Sequence, residues 1–166
     1  MIEAFAGQHH VALKQAHRFF SFGTARIEQH RVHIAIPRTY MNESGLAVAA
    51  LRDQYLFSPD ELVVIHDDMD LPPGRLRIKK GGRDGGHKGV RSVIGEVGTD
   101  RFWRLKLGIG HPPLMTDGVN FVLEKIPAPQ QRCLTEMIEL AVQAIVCFAV
   151  QGSEVAMNRF NHPPAG

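Results

Sequence analysis

The chain has 166 residues, 44% hydrophobic and 22% charged, which suits one domain over 1–166 with a core that needs no disulfide or metal. No unbroken apolar run reaches the roughly 20 residues of a membrane span, and MIEAFAGQHH at the start lacks the basic and long apolar sections of a secretory signal, so a soluble cytoplasmic protein without membrane contact is expected. Net charge is only +2, yet residues 74–106 hold ten Lys or Arg against three Asp or Glu; that concentrated positive field suits either a solvated surface or a polyanionic partner such as nucleic acid.

Taken in order, residues 1–9 read as part of a helix with Ile2 and Phe5 on one side, already under way at the first residue. Residues 18–27 (RFFSFGTARI) and 31–37 (RVHIAIP) read as strands, the second with Val32, Ile34 and Ile36 alternating against His33 and Ala35. Residues 42–57 carry Leu46, Ala50, Leu51 and Tyr55 at helical core spacing. Ser58-Pro59-Asp60-Glu61 has the form of a capping box. It leads into LVVIHD at 62–67, a continuous apolar run that suits a central buried strand.

After a Leu71-Pro72-Pro73-Gly74 turn, RLRIKK at 75–80 places Arg75, Arg77 and Lys79 on one strand face and Leu76 and Ile78 on the other. GGRDGGHKG at 81–89 reads as a flexible glycine-rich loop, followed by a short helix at 90–97 and a strand at 104–109. A long helix from Pro129 to about Val150 and a last short one carrying Val155, Met157 and Phe160 complete the chain. Cys133 and Cys147 lie on the long helix, about 21 Å apart at 1.5 Å per residue, too far for a disulfide. Interleaved strands and helices give an α/β class: one domain, a mixed twisted sheet, helices packed around it.

In such sheets ligands sit at the carboxyl ends of strands, which selects 37–42, 66–70 and 81–89. His66-Asp67-Asp68-Met69-Asp70 admits three readings: a solvated acidic turn, a carboxylate that orients a catalytic histidine, or a divalent-metal site. Asn42 is either a helix cap or a ligand for a peptide carbonyl, and Tyr40 could pack on a ligand. The glycine-rich loop is no Walker motif, since no Lys-Ser/Thr follows its glycines. Its His87, between glycine pairs, is expected to be exposed and mobile. No histidine pair has zinc-ligand spacing, and there is no Gly-x-Ser-x-Gly elbow, which leaves water-mediated hydrolysis or binding alone.

Three segments carry a resemblance: PRTYMNESG at 37–45, HDDMDLPPG at 66–74 and GGRDGGHKG at 81–89. With FWRLKLGIGHP at 102–112 and FVLEKIP at 121–127, they resemble the bacterial peptidyl-tRNA hydrolases, in order, to about Asn161. The resemblance implies a single-domain α/β fold and hydrolysis of the ester joining peptide to tRNA, which recycles tRNA. It implies no metal or other cofactor, peptidyl-tRNA as partner, and a monomer. It makes Asp67 the aspartate that orients a base histidine and His87 an assisting group. Tyr40 and Asn42 stand where the peptidyl end binds, and Arg77, Lys79, Arg104 and Lys106 become phosphate contacts.

Two departures accompany it. The family commonly opens with a strand, Gly-Asn-Pro-Gly and then Thr-Arg-His-Asn-Ala-Gly, which this sequence does not contain. The base histidine is therefore absent, and the chain reads as N-terminally truncated. The loop also has Lys88 where the family commonly has Asn; Lys cannot accept a hydrogen bond but can attract phosphate. The alternative reading is an inactive remnant or an RNA-binding module resembling splicing-factor relatives, and a third is a metal-dependent hydrolase on His66, Asp67, Asp68 and Asp70.

Overall fold

The computed structural model describes residues 1–111 and 128–162; the FVLEKIP segment at 121–127 lies outside them. The class is the expected mixed α/β, but the strands form two three-stranded sheets in place of one ladder. The first is an antiparallel meander of β1 (Lys14–His17), β2 (Phe20–Ile27) and β3 (His30–Pro37). The second sets β4 (Val63–Asp68) parallel to β6 (Trp103–Gly108), with β5 (Leu76–Lys80) antiparallel on the far side of β6. β6 is the strand paired on both sides, so it, and not the apolar β4, is central. Among the described residues β3 and β4 each have one edge without a strand partner.

α1 (Ile2–Gln8) buries Phe5 and Ala6 against Ala25, Ile27 and Ile34 of the meander. α4 (Ala128–Gln151) serves both sheets: Met137, Ala141, Ala144 and Cys147 join Leu76, Ile78 and Leu105, while Val142 joins the meander cluster. Within it, Gln131–Gln151 is long and apolar enough, at mean hydropathy 1.8, to cross a membrane by length and composition. The sequence reading overlooked this stretch because Arg132, Glu136 and Glu139 interrupt it. A third of that window is buried, through its contacts with both sheets. α5 (Ser153–Phe160) follows, and just beyond it Asn161 meets the outer edge of β5: its Oδ1 accepts from Ile78 N at 2.7 Å and its Nδ2 donates to Ile78 O at 2.9 Å.

The expected helix at 42–57 starts later. Met41–Glu43 is a 3-10 turn and α2 is Ser44–Tyr55, so Asn42 does not cap it. The capping box forms as expected: Ser58 N and Oγ both donate to Glu61 Oε2 at 2.9 Å, starting the Pro59–Glu61 turn. α2 packs on α3 (Lys88–Val97) at Gly45. A Cβ there would lie 2.2 Å from Ser92 O, and Gly45 N donates to Ser92 Oγ at 2.9 Å. That close approach brings residues 40–43, at the end of β3, beside the start of α3.

Candidate active site

β4 ends in His66-Asp67-Asp68, and alternation sends neighbouring side chains to opposite faces. His66 is 8% exposed, and its Nδ1 donates to Asp67 O at 2.7 Å. A carbonyl only accepts, so Nδ1 carries the proton and Nε2 presents a lone pair. That Nε2 is buried and has no hydrogen-bond partner among the described residues. Burial pushes the ring down to about 4, which keeps it neutral at pH 7.

Asp67 receives His87. The His87 Nε2–H donates to Asp67 Oδ1 at 3.2 Å, with the two side chains 14% and 30% exposed. His87 Nδ1 meanwhile accepts from Gly89 N at 3.1 Å and Val90 N at 3.2 Å, capping α3. The expected exposed, mobile histidine is instead held by three hydrogen bonds, because an imidazole lone pair answers two of the helix's unpaired amides. The bond from His87 holds the Asp67 carboxyl below its ordinary range. Asp68 is buried, which alone would raise it, but its ion pair with Lys106 leaves it below the usual carboxylate value.

The acidic cluster therefore disperses. Asp67 goes to His87, Asp68 to Lys106, and Asp70 to His111 at 3.1 Å. Among the described residues no three His, Cys, Asp or Glu side chains gather as a ligand set, so the metal reading of this cluster loses its geometric basis.

The loop is tied from below. Arg104 is 1% exposed; its NH1 donates to Arg83 O at 2.6 Å and its NH2 to Gly82 O. Asp100 Oδ2 accepts from Gly82 N at 3.0 Å, and Asp84 pairs with Arg91 at 3.1 Å. Gly81, Gly82, Gly85 and Gly86 all have positive φ, the left-handed region that glycine enters at little cost.

The family model for peptidyl-tRNA hydrolase matches residues 1–165. The chain is 39% identical over 163 residues to the peptidyl-tRNA hydrolase of Vibrio cholerae (strain ATCC 39315), covering 97% of this chain and 83% of that one. It is 42% identical over 139 residues to the Cutibacterium acnes peptidyl-tRNA hydrolase, covering 84% and 70%. The crystal structure of peptidyl-tRNA hydrolase from Acinetobacter baumannii matches with a TM-score of 0.90 at 35% identity, over 99% of this chain and 84% of that one. The chain belongs to the peptidyl-tRNA hydrolase family.

Against the expectations for a peptidyl-tRNA hydrolase, the structure brings Asp67, His87 and the 40–42 segment to one rim. Tyr40 is 80% exposed, Asn42 and Lys88 are exposed, and Met41 lies against Gly89 of the loop. Arg77 is exposed on β5 and Lys79 half-buried beside it; burial, then Lys106, Arg104 and Arg77, push the Lys79 ammonium below its usual range. Arg104 corrects the sequence reading: it shares a sheet face with Lys79 and Lys106, but the glycine-rich loop covers it and the loop carbonyls engage its guanidinium, so it offers no surface contact to phosphate. Lys106 is also engaged, by Asp68. The roles of Arg104 as loop anchor and of His66 as a neutral buried ring escaped the sequence. The alternation of β6 (WRLKLG) marks which residues share a face, not which face is covered.

Proposed function

We propose that this protein hydrolyses the ester that joins a peptide to tRNA, recycling tRNA as a cytoplasmic monomer. The observation that carries the reading is the ionised, partly exposed Asp67 carboxylate at the end of β4, where the 40–42 segment and the glycine-rich loop meet. In such a reaction water adds to the ester carbonyl while a base takes its proton. The tetrahedral intermediate then expels the ribose oxygen, which is reprotonated. Asp67 is suited to orient an imidazole and to stabilise the imidazolium once the proton arrives. His87 holds Asp67 in place. To take a proton at Nδ1 it would have to release the amides of Gly89 and Val90, so it is assigned the assisting role. Tyr40 and Asn42 are assigned to the peptidyl end, and the exposed Arg77 and Lys88 to phosphates, together with the half-buried Lys79 beside Arg77.

A second reading has one specific observation behind it. Both nitrogens of His87 are engaged, which favours a chain that grips the tRNA without turnover. Incubation with an N-blocked aminoacyl-tRNA, following acyl release and tRNA binding together, separates the two. The hydrolase reading expects release that Asp67→Ala lowers by roughly 100-fold or more while binding stays within about twofold. Salt-sensitive binding without release selects the second reading.

A further inference from the structure

The meander has two unlike faces. Ala25, Ile27 and Ile34 pack inward with Phe5 of α1 and Val142 of α4. Alternation therefore sends Phe22, Thr24 and Arg26 of β2, and Arg31 and His33 of β3, to the other face. The register agrees: Thr24 lies opposite His33, Arg26 opposite Arg31, and Lys14 of β1 opposite Phe22. Arg26 and Arg31 are thus like charges directly across a strand pair, an arrangement that destabilises a sheet. Among the described residues Lys14, Arg26 and Arg31 form no ion pair. All three are exposed, and Arg26 meets only the Glu28 carbonyl, at 3.4 Å.

The cations border a stack of rings. Phe22 lies on Tyr55 of α2 with centroids 4.4 Å apart and planes 13° from parallel, and His33 stacks on Phe22 at 5.3 Å. Phe22 and Tyr55 are half-buried, whereas His33 is exposed. A hydrogen bond of 3.0 Å joins Thr24 Oγ1 to His33 Nδ1 and fixes the imidazole's orientation. Burial, then the charge of Arg31, holds His33 below its usual value, so at pH 7 it offers a neutral ring and no further charge.

We propose that this outer face of the meander binds single-stranded RNA, with phosphates on Lys14, Arg26 and Arg31 and a base laid on the exposed His33 ring. Cations without counter-ions beside an oriented ring platform answer both halves of a nucleotide. An acidic peptide would satisfy the cations and leave the rings idle. An anionic membrane would call for apolar side chains that project past the cations, and here the rings lie flat on one another, two of them half-buried. The face belongs to the first sheet, whereas Arg77 and Lys79 lie on the second, so it is a surface separate from the phosphate contacts assigned above. The proposal concerns binding and does not rest on the hydrolase reading.

The test titrates the full 166-residue chain into a fluorescein-labelled oligouridine of about eight nucleotides, with anisotropy followed at several salt concentrations. The expected result is saturable, salt-sensitive binding. The double variant Arg26→Gln, Arg31→Gln should bind roughly tenfold more weakly. Its slope of log affinity against log salt should flatten by about 1.4, at about 0.7 per single-strand phosphate. It should melt no lower than the parent, because it relieves a like-charge pair. His33→Ala should weaken binding about fivefold with the slope unchanged, and His33→Phe, which keeps a ring, should restore it. Arg77→Ala should leave the affinity within about twofold. Loss through Arg77→Ala in place of the double variant would put the RNA on the second sheet. Equal competition by polyglutamate or by phosphatidylserine vesicles would mean a general anion surface, and a lower melting point of the double variant would make the arginine pair a structural contact. Any of these results, or full binding by His33→Ala, or no binding, overturns the proposal.

Discussion

The two sheets treat charge in opposite ways. In the meander, Lys14, Arg26 and Arg31 all point to solvent, and what it buries is Phe20, Ala25, Ile27 and Ile34. The second sheet holds each of the buried polar or charged side chains recorded among the described residues: His66, Asp68 and Arg104. The difference lies in what each sheet has to offer as partners. A meander joined by short turns presents only its own ladder to the inside. The second sheet returns through a glycine-rich loop and an acidic strand end, and their carbonyls and carboxylates give buried charges something to bind. An interior charge is tolerable only on those terms.

That contrast can be broken at Arg104. Arg104→Ala removes a buried guanidinium and leaves the carbonyls of Gly82 and Arg83 unanswered, at an expected cost of about 3 kcal/mol in chemical denaturation. Arg31→Ala in the meander should cost less than about 0.5 kcal/mol. Equal losses would show that the burial of Arg104 contributes nothing special. A comparable effect of the second sheet appears with pH. The folded His66 ring titrates near 4, below its ordinary 6.5, so the unfolded chain takes up that proton first as pH falls. The contribution of His66 is complete above about 6.5 and declines down to about 4, by about 3 kcal/mol in all. Stability curves of the parent and His66→Phe should therefore converge or cross within that window; parallel curves would remove His66 as the cause.

Smaller effects sharpen the picture. Asn161→Ala unpairs both backbone groups of Ile78 and is expected to cost about 1–2 kcal/mol, read as a drop in melting temperature with faster exchange at β5. On the outer face, Arg77→Ala and Lys79→Ala should each lower the slope of log affinity for tRNA against log salt by about one. Arg104→Lys should leave that slope unchanged, because the glycine-rich loop covers residue 104.

Periodicity made much of this legible. The alternation of 75–80 gave the buried and cationic faces of β5, the Ser58–Glu61 spacing gave its capping box, and the strand-end rule gave all three segments of the rim. Other features had no local signal. β1 (KQAH) is a largely exposed strand without an apolar rhythm, and it exists because Phe20 and Phe22 of β2 pair with it. Arg104 and Lys106 read as a surface pair because alternation cannot say that the same face is closed over by the glycine-rich loop and by Asp68. His87 read as mobile because glycine pairs flank it, and the carboxylate that holds it lies twenty residues away in the chain. Long-range closure decided each of these.

Asn161 has a wider consequence. Its side-chain amide presents to Ile78 one acceptor and one donor, the same pair that the next backbone in a ladder would offer. It acts as a stopper one residue long, seated at the tip of the last helix, and with it in place β5 has no invitation to extend to another chain at that point. The outer edge of β5 is thus closed at Ile78. Removing the stopper would leave the Ile78 amide and carbonyl on an open edge, which is where edge-to-edge association begins.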